Sequence, residues 1–182
     1  MKTILKIGCG IALGVVMLGI IGIILTGTCA RSLEEAEKQI KLLPLGQATV
    51  MEGIQFTVVE YIVSKEVGGK PPSAEGAQYL FIHCQVENIG EIAKVPPSEY
   101  DIQVIYKGEK VEMPLLVFLP SARVGGRELS EYPYFYATNE LYPGITKDGW
   151  LVYLIPMDFH PEDTKIIVSF SDVEKAGWTL TR

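Results

Sequence analysis

The pattern of apolar and polar positions changes period twice along the chain. From Ile7 to Ala30 there is no period at all, because Lys6 and Arg31 bracket twenty-four residues without a charge. At about 1.5 Å per residue the run makes a helix of roughly 36 Å, enough to cross a hydrocarbon core of about 30 Å with some tilt. It predicts one N-terminal transmembrane helix within residues 1–30, with the lipid bilayer as partner of residues 7–30. A helical period follows. Ser32-Leu33-Glu34-Glu35 has the form of a capping box, Leu33, Ala36, Glu37, Ile40 and Leu43 fall near one face, and Pro44 with Gly46 ends the pattern. Residues 31–46 therefore read as a short juxtamembrane helix or linker.

From there to the C-terminus the period is two, and residues 47–182 are predicted to form one all-β domain, an antiparallel β-sandwich. Ile54 to Ser64 puts Ile54, Phe56, Val58 and Ile62 on one face with Glu60 as the exception, and Gln55, Thr57, Val59, Tyr61 and Val63 on the other. Gln78 to Asn88 is the cleanest alternation. Leu80, Ile82, Cys84 and Val86 face the core, which sends His83 to the outer face with no partner that the sequence names. Between these runs, Lys65 to Ala77 holds too many Gly and Pro to be anything but a loop. Tyr100 to Tyr106, a hairpin turn at Lys107-Gly108-Glu109, Asp148 to Pro156 and Thr164 to Ser171 continue the pattern, and Trp178 with Leu180 closes it.

Pro114 to Thr138 allows two readings. Leu115 to Leu119 and Tyr132 to Tyr136 are either two further sandwich strands or parts of an insertion that exposes an apolar surface. In the second case Phe118, Tyr132, Tyr134, Phe135 and Tyr136 form a partner surface.

Gly53-Ile54-Gln55-Phe56, then Val86-Glu87-Asn88-Ile89-Gly90, then Leu141-Tyr142-Pro143-Gly144 followed by Gly149-Trp150 and a strand ending in Pro156 resemble one family. It is the prokaryotic immunoglobulin-like domain of unknown function found behind signal peptides, lipobox cysteines and membrane anchors, sometimes mislabelled as a telomeric repeat-binding factor. The resemblance covers about Ala48 to Phe170. It implies an immunoglobulin-like sandwich in a secreted or surface-tethered protein, and it brings no catalytic residues with it.

Charge and cysteine placement refine this picture. Lys2 and Lys6 precede the apolar run and Glu34, Glu35 and Glu37 follow it, a positive-inside bias that puts the N-terminus in the cytoplasm and the domain outside. The run is longer than the usual cleavable h-region, which favours a retained single-pass anchor. Thr28-Cys29-Ala30 is a passable cleavage site, which would leave the domain secreted, and Cys29 sits in a poor lipobox. Gly10 and Gly14 form a small-residue pair that allows weak homo-oligomerisation through the helix. After residue 30 the chain has fourteen Lys and Arg against twenty-two Asp and Glu, a net charge of −8 that argues against nucleic acid. Cys84 is the one cysteine in the sandwich, so no disulfide can form within it.

Candidate chemistry is sparse. The two histidines, His83 and His160, stand in no catalytic motif, and there is no GxSxG, P-loop, GxGxxG, HExxH or CxxC. Asp158-Phe159-His160-Pro161-Glu162-Asp163 is the nearest approach to a cation site, with a spacing that fits no calcium loop. No cofactor, metal or catalytic residue is expected. The expectation is a membrane-anchored extracytoplasmic binding module with an unidentified protein or envelope partner. The alternatives are an accessory subunit of an envelope complex and, further off, an enzyme.

Overall fold

The computed structural model describes residues 40–113, 122–124, 127–129 and 139–181. The transmembrane run with Gly10, Gly14 and Cys29, the capping box at Ser32, and the partner-surface residues Phe118, Tyr132, Tyr134, Phe135 and Tyr136 lie outside the described residues.

Eleven strands are described in chain order: β1 (Leu42–Leu43), β2 (Ala48–Met51), β3 (Ile54–Ser64), β4 (Ala77–Asn88), β5 (Ile102–Tyr106) and β6 (Glu109–Val111), then β7 (Ala122–Val124), β8 (Arg127–Leu129), β9 (Thr146–Pro156), β10 (Thr164–Ser169) and β11 (Lys175–Thr179). They form a four-stranded sheet in the order β2-β3-β4-β9, a five-stranded sheet in the order β1-β11-β10-β5-β6, and a separate β7-β8 hairpin. All pairs are antiparallel except β1 with β11. The two larger sheets enclose one core, so the chain from Lys41 on is a β-sandwich. Its centre is Phe56, Leu80, Ile82, Tyr153, Ile166 and Trp178, each fully buried or nearly so.

Three local outcomes differ from the sequence expectation. The helical face proposed for residues 31–46 included Leu43, yet Leu42 and Leu43 are strand β1 and Leu43 is buried in the core. A two-residue strand has no sequence signature. It forms because an edge of the five-stranded sheet offers backbone partners at Gly177 and Trp178. The compact unit that contains the sandwich begins at Lys41.

The second difference explains the misfit of Glu60. β3 pairs Val58 with Cys84 and Glu60 with His83, so Val59 is an extra residue in a β-bulge. The bulge shifts the alternation by one. Ile54, Phe56 and Val58 face the core before it, while Tyr61 and Val63 pack on the core after it. Glu60 and Ile62 turn to the outer face, opposite to the side that strict alternation gives them.

Third, the outer face of the four-stranded sheet is partly covered. Val67, from the loop between β3 and β4, and Val124, from the β7-β8 hairpin, pack with Phe81, Trp150 and Val152 in a second apolar cluster. β4 and β9 are thus buried on both faces over part of their length. The two hairpin strands fall within the Pro114 to Thr138 segment, between the two apolar runs that the sequence singled out.

Pairing registers fix the two ends of the sandwich. Ile54 opposite Asn88 and Glu87 opposite Thr146 place the β2-β3 turn, residues 89–101 and residues 139–145 at one end. Ile102 opposite Val168 and Ser169 opposite Lys175 place the β10-β11 turn there too. At the far end lie the β5-β6 turn, where Lys107 (φ 50°) and Gly108 (φ 85°) adopt the left-handed pair of a tight hairpin, and the segment after β9.

Candidate functional site

Two places gather chemistry-bearing side chains. One is on the outer face around His83. The register His83 opposite both Glu60 and Trp150 puts the imidazole in the middle of the sheet. Its ring stacks on the Trp150 indole at 4.7 Å between centroids and 12° between planes. His83 Nε2 lies 3.1 Å from Asp148 Oδ2, and Nδ1 faces Glu60 Oε1 at 4.0 Å. The sequence names no partner for His83 on this face, and the fold supplies Trp150, Asp148 and Glu60. Asp148 is distant in sequence, and the bulge at Val59 delivers Glu60 to a face where alternation does not put it.

This arrangement orients an imidazole without equipping it. The carboxylates sit at opposite ring nitrogens and so do not converge on a common point where an ion could bind. Cys84, the next residue, points to the other face, and burial pushes its thiol well above the ordinary value of 9.0. That makes it a buried hydrophobe and no nucleophile for His83. Among the described residues no group of three His, Cys, Asp or Glu is placed to hold a metal ion. His160 is at the surface, 3.6 Å from Glu162 within the turn that follows β9.

The second place is the end of the sandwich that carries Asn88. Its side chain is fully buried and ties three segments together. Nδ2 donates to the carbonyls of Ile92 at 2.8 Å and Leu141 at 2.6 Å, while Oδ1 accepts from Gly90 N at 2.9 Å. The backbone doubles the tie. Gly144 N donates to Asn88 O at 2.7 Å, Asn88 N to Ile145 O at 3.2 Å, and Ile89 N to Gly53 O at 2.9 Å. Gly53 has φ 79°, and a Cβ there would stand 3.3 Å from Gly90 Cα, so the turn and the close approach both require glycine. Lys94 and Leu141 exchange two further backbone bonds, and Lys94 Nζ donates to Glu52 O. Asn88-x-Gly90 and Pro143-Gly144, legible in sequence as separate motifs, are two halves of one knot.

The knot displays apolar side chains. Ile89, Ile92, Tyr142 and Ile145 are exposed on the tied loops, Tyr142 by 65%. Beside them, at the same end, Val95 and the 81%-exposed Tyr100 line a groove of about 490 Å³ floored by Pro96, Pro97 and Phe170. Val173, on the β10-β11 turn, is 88% exposed. Asp101 in this groove is held by Ser98, whose N–H and hydroxyl both donate to Oδ2, at 2.8 and 2.7 Å. Asp172 and Lys175 supply its other charges. Sequence reasoning weighed an exposed apolar surface only within Pro114 to Thr138 and did not single out these loops, because each of their apolar residues stands singly among turn residues.

No protein-family model matches the chain, and no curated protein matches it. Solved structures do. The yjhA protein from Bacillus subtilis superposes with a TM-score of 0.52 at 16% identity, covering 76% of this chain and 99% of that one. An uncharacterized β-sandwich protein from Clostridium difficile 630 gives 0.46 at 14% identity over 79% and 97% of the two chains. A conserved hypothetical protein from Bacillus anthracis gives 0.47 at 14% over 75% and 95%. The first likeness shows the shared fold, a β-sandwich, and nothing finer.

Proposed function

We propose that this protein is a membrane-anchored, extracytoplasmic binding module of immunoglobulin-like type, and not an enzyme, and that it binds through the loops at the Asn88 end. One observation carries the reading. Of nine large apolar side chains exposed among the described residues, seven stand on the loops of that end, and only Val50 and Met157 lie elsewhere. Scattered apolar exposure is ordinary, but concentration on loops fixed by a buried network is the form of a recognition surface. The immunoglobulin-like type is supported by the family motif residues, Asn88, Gly90, Pro143 and Gly144, which build the knot. The anchor and the outward orientation are supported by the charge-free run from Ile7 to Ala30 and by Lys2 and Lys6 before it. Cys84 closed in the core and His83 held between two carboxylates favour binding over catalysis.

The reading is tested by site-specific photo-cross-linking from single cysteines on the full-length protein in cells. Cysteines at Ile92 and Tyr142 are expected to give a discrete adduct and one at Met157, at the far end, none. Adducts from Met157 alone would overturn the proposal. The full-length chain should also stay in the membrane fraction through a carbonate wash, and an N-terminus starting at Arg31 would instead mean cleavage.

A further inference from the structure

The charges around the apolar loops narrow the kind of partner they fit. On residues 52–53, 89–101, 139–145 and 170–174 the exposed charged groups are Glu52, Glu91, Glu140, Asp172 and Glu174, with Asp101 half-buried in the groove. Lys94 is the one cation on these loops, and its ammonium donates to the Glu52 carbonyl. Lys175 follows at the start of β11. The end thus offers aromatic and branched apolar side chains within a carboxylate rim. Such a rim repels a second copy of the same end and an anionic bilayer surface. It attracts cations at short range, and the apolar side chains then bury surface that electrostatics alone would leave wet.

We propose that the Asn88 end docks a cationic, amphipathic polypeptide segment of a partner protein. Its Lys or Arg side chains meet Glu91, Glu140 and Asp172, its apolar side chains cover Ile92 and Tyr142, and one side chain enters the groove beside Tyr100 and Phe170. The inference rests on the reading that these loops are the binding surface and adds the chemistry of what they bind. The rigidity of the knot favours this use, because loops already fixed by Asn88 lose little further freedom on binding.

The test uses the full-length protein in nanodiscs of zwitterionic phosphatidylcholine, with an environment-sensitive dye on a Tyr142→Cys variant. A synthetic peptide of lysine and leucine at helical spacing is titrated against its glutamate–leucine counterpart. Saturable binding of the lysine peptide is expected, at least tenfold tighter than the glutamate peptide. An unlabelled Glu91→Lys/Glu140→Lys variant, read by calorimetry, should lose at least tenfold in affinity with its melting temperature unchanged. Equal binding of both peptides, abolished by Ile92→Ser/Tyr100→Ser, would overturn the cationic partner and leave the loop-end reading standing. Binding untouched by Ile92→Ser/Tyr100→Ser would overturn both. A dye already shielded before any peptide is added would assign the surface to lipid or to a second copy, and would also overturn the proposal.

Discussion

The two ends of the sandwich handle the same kinds of residue in opposite ways. At the far end, Tyr106 is buried against Phe159 with centroids 5.2 Å apart, and its hydroxyl donates to Asp158 O at 3.3 Å. At the Asn88 end Tyr100 and Tyr142 project into solvent while a polar side chain, Asn88, occupies the buried centre. A domain that closes one end with aromatic packing has the means to close the other. At the Asn88 end the loops are held by polar ties to a buried amide, and their large apolar side chains stay in solvent.

That contrast can be broken at its strongest point first. Asn88→Ala removes three hydrogen bonds from a buried site, and a loss of about 3 kcal/mol is expected in urea unfolding. A loss below about 1 kcal/mol would mean that the knot does not hold this end. At the far end, Tyr106→Leu keeps apolar volume but loses ring packing and the bond to Asp158, with an expected cost of about 1.5 kcal/mol. The core between the ends reports through pH. Burial raises the Cys84 thiol above its ordinary 9.0 and the Tyr153 phenol above its ordinary 10.0. Above those values the unfolded chain releases protons that the folded one keeps. Stability is thus fully present below about pH 9 and falls as pH rises, by about 1.4 kcal/mol per pH unit for each group. Cys84→Val should delay the onset of that fall by about one unit in melting curves, and an unchanged onset would exclude Cys84 as its source. The smallest effect is the sharpest test of the open end. Ile92→Ser with Tyr142→Ser should shift stability by no more than about 0.5 kcal/mol. A larger loss would mean that these side chains are packed in solution.

What could be read from the sequence followed the range of the forces involved. β3 and β4 were legible because alternation is written locally, and Leu80, Ile82, Cys84 and Val86 are buried as the pattern requires. The bulge left only one mark, Glu60 on an apolar face, because a bulge is decided by pairing across strands. Leu43 obeyed a helical spacing and was captured, together with Leu42, by a sheet edge, a tertiary term that no local pattern contains. Val67 sits among glycines and prolines, so its place in the second cluster was invisible. The candidate site divided the same way. Asn88-Ile89-Gly90 and Pro143-Gly144 stood out as motifs, but their meeting depends on strand register. The surface at Phe118 and Tyr132 to Tyr136 drew notice because apolar residues were contiguous there, whereas the exposed loops present theirs one at a time.

The pairing of β1 with β11 has a mechanical meaning. β1 runs parallel to β11, and Leu43 is packed into the core. Tension on the chain that precedes Leu42, directed back along the strand, loads the bonds to β11 together, in shear, and must also draw Leu43 out of its apolar seat. A peeling load would break the same bonds one after another. Two residues thus form a clasp that resists force along the chain better than their number suggests.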